Sequence, residues 1–134
     1  MSQVVWITGA SGGIGVEVAK LLAQKGWTIV ASARDGENLE RTTSGIEGIH
    51  ILPVDVTDEV AMKNVANQIK SEYGRLDGFV HAVGSILLRP LHATSLDQFQ
   101  DTLNLNLTSA FIAMKYSVPI ICLLYTSPSP RDSR

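Results

Sequence analysis

Thr8-Gly9-Ala10-Ser11-Gly12-Gly13-Ile14-Gly15 joins an apolar run to a segment of helical period. A helix begins with unpaired N–H groups and a partial positive charge, so its N-terminus is a ready seat for phosphate. Glycine adds two things there: a sharp backbone turn, and no Cβ between the main chain and an approaching anion. Gly9, Gly13 and Gly15 give the spacing T-G-x-x-x-G-x-G, which is more glycine than a plain strand-to-helix turn requires. The expected chemistry is a diphosphate held by backbone amides. A nucleoside-triphosphate loop is excluded, because Val16 and Glu17 follow Gly15 where lysine and a hydroxyl residue would be needed.

The elements that would present this turn are legible from periodicity. Apolar runs fall at Val4–Thr8, Trp27–Ala33, Ile49–Asp55 and Leu76–Val83. They are apolar on successive residues, as strands buried on both faces are. Between them, Gly13–Lys25 carries Ile14, Val18, Leu21 and Leu22 on one helical face and is stopped by Gly26. A helix opening at Thr57-Asp58-Glu59, with Thr57 as its expected cap, runs to about Tyr73 and shows Ala61, Val65 and Ile69 inward. A last helical region from Ser95 carries Phe99, Leu103, Leu107, Phe111 and Met114 at spacings of three or four. Alternating strands and helices predict an α/β fold, a Rossmann-type doubly wound parallel sheet in strand order 3-2-1-4 with helices on both faces.

A chain of 134 residues is one domain at most. Its net charge of −2 and scattered basic residues leave no footprint for nucleic acid or an anionic membrane. No single apolar run reaches the roughly 20 residues that span a bilayer. The opening residues lack a signal peptide's basic region, and one cysteine excludes an internal disulfide. A cytoplasmic protein is expected.

The stretch Thr8–Gly15 resembles the cofactor motif of the short-chain dehydrogenase/reductase family, and three further stretches match that family in order. Asp55-Val56-Thr57 is similar to its D-V motif, His81-Ala82-Val83-Gly84 stands where it has N-N-A-G, and Leu105–Phe111 is similar to its N-containing helix. The resemblance covers nearly all of residues 1–121. It implies an oxidoreductase that moves hydride between a nicotinamide and a small carbonyl or alcohol substrate. It implies cofactor contacts at Gly9, Ser11, Gly12, Gly13, Ile14, Gly15, Asp55, Val56, His81, Ala82 and Gly84, with Asp55 toward the adenine amino group. His81 and Ala82 replace two asparagines of the family pattern; the imidazole reads as a satisfied core histidine, with the backbone of Ala82–Gly84 at the cofactor. Many relatives are homo-oligomers through the long helix, so the intact parent is expected to be one.

Aligned on that pattern, Ala33 stands where an NAD-selecting acid would be and Arg34 where a base receives the 2′-phosphate of NADP. Ser11 and Ser32 are candidate extra donors. Asp35 lies near the spacing of an NAD acid but past the strand, where it caps the next helix. NADP is therefore expected over NAD, and no metal. By resemblance, Asn106 is the catalytic-site asparagine of a water-mediated proton relay. The family's Tyr-x-x-x-Lys pair is absent: Asp77, Ile120 and Ser129 lie four residues after Tyr73, Tyr116 and Tyr125. This chain is expected to bind but not to turn over. A non-catalytic, regulatory NADP-binding module and a non-functional truncated product stay open as alternatives.

From Cys122 the family pattern ends. Cys-Leu-Leu-Tyr-Thr-Ser-Pro-Ser-Pro-Arg-Asp resembles an in-frame translation of a sequencing-library adapter. The expected division is therefore a partial dinucleotide-binding domain over 1–121 and an adapter-derived, non-native tail over 122–134.

Overall fold

The computed structural model describes residues 2–125. Its elements are β1 (Val4–Thr8), α1 (Gly13–Gln24), β2 (Thr28–Ser32), α2 (Gly36–Thr43), β3 (Ile49–Ile51), α3 (Glu59–Tyr73), β4 (Gly78–His81), a 3₁₀ turn (Leu91–Ala93), α4 (Leu96–Leu103), a π turn (Asn104–Thr108) and α5 (Ser109–Tyr125). The four strands form one sheet in the order β3-β2-β1-β4, all pairs parallel. That is the expected topology. The strands are shorter than their apolar runs, because Leu52–Asp55 and Ala82–Val83 leave the ladder while keeping extended contacts.

The sheet alternates its side chains between two apolar layers. Val4, Trp6 and Val30 pack with Met62, Val65 and Ile69 of α3 and Ile112 and Ala113 of α5. Val5, Ile7, Ile29 and Ala31 pack with Ala19 of α1 and Leu39 of α2. β1 sits between β2 and β4, so Trp6 lies opposite both Val30 and Phe79 and meets the Phe79 ring edge-on at 5.0 Å. Trp6 Nε1–H donates to Ser32 Oγ at 2.9 Å, and Ser32 Oγ–H donates to the Leu52 carbonyl at 2.6 Å. A buried indole and a buried hydroxyl are thus both satisfied, and β3's exit is tied to the middle of the sheet. At the strand starts, Asp77 Oδ2 accepts the Val4 N–H at 2.8 Å while its carboxylate takes a two-point bond from Arg75.

Two local expectations are corrected and a third is borne out. Of the expected α1 face, Val18 and Leu22 pack partly buried against the core but Ile14 and Leu21 are exposed; the fully buried positions are Gly15, Val16 and Ala19, small residues that let the helix lie close to β1. The cap of α3 is Asp58, whose carboxylate accepts from the Ala61 N–H, and not Thr57, which bonds Asp55 instead. Asp35 does cap α2, accepting from the Asn38 N–H at 3.0 Å.

α4, the π turn and α5 form one continuous helix. Among the described residues, the span Leu96–Leu123 is long and apolar enough to cross a membrane by length and composition, with a mean hydropathy of 1.3 in its most apolar window. The separate runs hide this, because Asp97, Asp101 and Lys115 interrupt them. Its inner face, with Ile112, Ala113 and Ile120, belongs to the core, and its outer face exposes Phe99, Leu107, Phe111 and Met114. The helix continues through Tyr125, past the point where the family-like pattern breaks, and residues 126–134 of the expected tail lie outside the described residues.

Candidate functional site

The C-terminal ends of β1, β2 and β4 and the extended chain after β3 open onto a cleft of about 380 Å³. Gly9, Ser11, Gly12, Arg34, Asp55, Val56, Ala82, Gly84 and Leu105 are among its lining residues. A second hollow of about 610 Å³ shares Gly12 and Ala82–Gly84 with it and adds Gly13, Ile14 and His81. Of the expected residues, Gly15, Asn106 and the candidate donor Ser32 line neither. Ligands of open α/β sheets sit at this edge, outside the carboxyl ends of the strands where the order reverses between β1 and β4.

The glycines divide by role. A Cβ on Gly15 would stand 2.2 Å from the Gly9 carbonyl oxygen, and one on Gly9 would stand 2.4 Å from that of Ala82, at a φ of +67°. These two positions are closed by the protein itself. Around Gly12 and Gly13 nothing lies within 4 Å of a Cβ, so their bareness leaves open space at the start of α1. No side chain caps α1, so its first N–H groups are left for another acceptor. This is the cradle a diphosphate needs: amide donors, the positive end of a helix, and no Cβ in the way.

Asp55 is fixed on the cleft wall. Its Oδ1 accepts the Thr57 hydroxyl at 2.7 Å and the Thr57 N–H at 2.9 Å. The hydroxyl first, then the N–H, hold its carboxyl below the usual range; partial burial opposes them and the Arg34 charge adds a smaller pull the same way. Asp55 is therefore an ionised acceptor at neutral pH, suited to an exocyclic amino group. Arg34 is exposed at the rim beside Ser11 and Gly12. Ser32 corrects an expectation: its hydroxyl is spent between Trp6 and Leu52 inside the sheet and is no donor to the cleft.

Asn106 sits in the π turn with both ends of its amide hydrogen-bonded. Its Nδ2 donates to the Thr102 carbonyl at 2.8 Å, and its Oδ1 accepts the Ser85 N–H at 2.9 Å. The side chain therefore clamps the segment after β4 to the long helix. His81, at the end of β4, bridges Thr8 Oγ1 at 2.7 Å and Ser109 Oγ at 3.1 Å, a satisfied histidine as expected. Sequence reasoning missed the π turn, since an apolar pattern spaced by three and four does not distinguish α from π geometry. It also missed Asn38, whose Nδ2 reaches the Ser11 carbonyl at 3.5 Å and links α2 to the glycine turn.

Known proteins share this architecture. The profile for short chain dehydrogenase matches residues 3–123. The uncharacterized oxidoreductase YxjF of Bacillus subtilis is 37% identical over 123 residues, which are 89% of this chain and 48% of that protein. The 2,3-dihydro-2,3-dihydroxybenzoate dehydrogenase of the same organism is 35% identical over 119 residues, covering 84% of this chain and 45% of that protein. A short-chain dehydrogenase from Streptomyces avermitilis superposes with a TM-score of 0.84 at 25% identity, over 90% of this chain and 44% of that one. ElxO with NADP bound superposes with a TM-score of 0.85 at 29% identity, over 92% of this chain and 52% of that one. The chain thus spans about half the length of these relatives. With the strand order, the glycine turn and the family profile in agreement over nearly its whole length, the chain belongs to the short-chain dehydrogenase family.

Proposed function

We propose that this chain is the dinucleotide-binding part of an NADP-dependent oxidoreductase acting on a carbonyl or alcohol substrate. The observation that carries the reading is the open space over Gly12 and Gly13 at an uncapped helix N-terminus, in a cleft that also presents Arg34 and Asp55. A bound nicotinamide would supply or accept the hydride. The chain's own residues hold the rest: the α1 amides take the diphosphate, Asp55 and Val56 border the adenine, and Arg34 offers a two-point bond to a 2′-phosphate. Ala82–Gly84 and Ile14 border the nicotinamide end, with His81 behind them.

Asn106 is assigned as the catalytic-site asparagine; its side chain is committed to Ser85 and Thr102, so it acts by holding the turn from which a relay would start. No Tyr-x-x-x-Lys pair occurs in the sequence, which favours binding without turnover in this chain and supports, as a second reading, a non-catalytic dinucleotide module. The domain reading, 1–121 as dinucleotide-binding with a non-native remainder, is part of the same proposal, as are the cytoplasmic location and the homo-oligomeric parent. Calorimetric titration tests it. NADP⁺ should bind at least about tenfold more tightly than NAD⁺, and Arg34→Ala should erase the difference, a loss of about 1.4 kcal/mol for NADP⁺ alone. Equal affinities, unchanged in the variant, would overturn the cofactor assignment.

A further inference from the structure

We propose that His81 is a positioning residue: in its neutral Nε2–H form it pins the π turn that carries Asn106, and taking up a proton releases that turn and the cleft wall beside it. The consequence for binding rests on the dinucleotide reading of the cleft; the coupling within the protein does not.

The hydrogen-bond directions select one tautomer. In the π turn, Ser109 N–H bonds the Asn104 carbonyl, so the Leu105 carbonyl loses its usual helical partner. Ser109 Oγ–H donates to that carbonyl at 2.5 Å. Its one proton being spent, Ser109 Oγ can only accept from the imidazole, which places a proton on His81 Nε2. Neutral His81 then has a lone pair on Nδ1, and Thr8 Oγ1–H donates to it at 2.7 Å. Thr8 and Ser109 are fully buried, so neither partner is readily replaced.

A second proton has no good place. Imidazolium would need two acceptors, and Thr8 would have to turn its hydroxyl to the Val80 carbonyl, which is 3.5 Å away. The side chains that meet the imidazole are Thr8 from β1, Ser109 from the long helix and the stacked Phe79 ring from its own strand; none of them is acidic or basic. Burial is the sole cause acting on the ring, and it lowers its affinity for protons below the ordinary 6.5. The unfolded chain therefore protonates this histidine first as pH falls. The stabilisation is complete above about 6.5 and is lost as pH drops from there through the lower folded value.

The latch reaches the cleft through two bonds. Ala82 N–H donates to the Thr8 carbonyl, and Ser85 N–H donates to Asn106 Oδ1 in the turn that Ser109 completes. Segment 82–85 is thus held at one end by the strand and at the other by the π turn, with Gly84 so close to Asn106 that a Cβ would lie 3.0 Å from Oδ1. Loosening His81 loosens both holds.

The test uses the full chain with ¹⁵N-labelled histidine and backbone. His81→Asn identifies the His81 signals among the three histidines. At about pH 7.5 the imidazole should show a protonated Nε2 and a bare Nδ1. On acidification, the Ser85 amide resonance should move with the same midpoint as His81, below the ordinary 6.5. The wild-type titration decides the matter even if the variant folds poorly. An Nδ1–H tautomer, or a Ser85 amide that ignores the His81 titration, would overturn the latch.

NADP⁺ titrations separate this from the function itself. Between about pH 7.5 and 5.5, wild-type affinity should weaken at least about fivefold more than that of His81→Asn. The ratio cancels the titration of the ligand's own phosphate. Coupled His81 and Ser85 signals with no NADP⁺ binding at any pH would keep the latch and overturn the cofactor site. Tight NADP⁺ binding with uncoupled signals would do the reverse.

Discussion

β1 and β4 are neighbours in one sheet, yet the chain treats them differently. β1 is hydrogen-bonded on both sides, and all five of its residues are buried. β4 pairs with β1 alone among the described residues, and each of its four residues is only half-buried. The same contrast extends outward. The glycine turn after β1 is so tightly folded that two of its glycines touch backbone carbonyls, whereas the long helix beyond β4 leaves Phe99, Leu107 and Phe111 facing out. The cleft wall at the glycine turn is therefore tightly packed, and the side beyond β4 is held by a few polar clamps. Binding and stability should respond to mutation differently on the two sides.

The largest loss is expected at Gly15. A valine there drives a Cβ to 2.2 Å from the Gly9 carbonyl, and backbone on both sides has nowhere to move. Gly15→Val should lower unfolding stability by more than about 3 kcal/mol, read by urea denaturation. Gly12→Ala is its sharpest contrast, since nothing lies within 4 Å of the new methyl group. It should change stability by less than about 0.5 kcal/mol while weakening NADP⁺ binding about tenfold or more. If Gly12→Ala unfolds the protein, the division of the glycines into packing and ligand roles is wrong.

Asp77→Ala comes next. The carboxylate is 1% exposed, and its removal takes the acceptor from the buried Val4 N–H and the two-point bond from the Arg75 guanidinium. A loss of about 3 kcal/mol is expected, and Asp77→Asn should recover only part of it, because an amide oxygen cannot serve both partners as an anion does. Ser32→Ala should cost less, about 2 kcal/mol, by leaving the Trp6 indole N–H and the Leu52 carbonyl without their shared hydroxyl. A quenched or shifted Trp6 emission would accompany it. Little change in either variant would mean that the β1–β2 side is less tightly determined than its burial implies.

These ranks also show what the sequence could and could not reveal. Topology was legible because strands apolar on successive residues alternate with helical periods, a pattern few folds satisfy. The glycine turn was legible because its spacing exceeds what a turn needs. Which glycine serves which purpose was not, since only the fold brings the Gly9 and Ala82 carbonyls against the missing Cβ positions. Ser32 looked available at the end of β2, but the strand pleat turns it inward to Trp6. Thr57 looked like a cap because it precedes two acids, yet Asp58 outcompetes it while Asp55 takes the Thr57 hydroxyl. The π turn left no mark on the apolar spacing, and the latch at His81 depends on it.

The smallest effect should come from the polar tether between α3 and α5. Glu59 Oε2 accepts from Lys115 Nζ at 2.8 Å and from the Tyr116 hydroxyl at 2.9 Å. The bond from Lys115, then that from Tyr116, hold the Glu59 carboxyl below its ordinary 4.5, and the same pair raises Lys115. A lowered carboxyl contributes stability above about pH 4.5 and loses it as pH falls through the folded value. Both charges are exposed and screened by water and salt, so the contribution is slight. Glu59→Gln should leave the melting temperature at neutral pH unchanged within error and make the acid limb of the stability profile slightly shallower. A large drop at neutral pH would mean that this surface tether, and not the buried Ile112, Ala113 and Ile120 face, keeps the long helix on the sheet. The contrast between a densely determined β1 side and a lightly clamped β4 side would then have to be redrawn around exposed ion pairs.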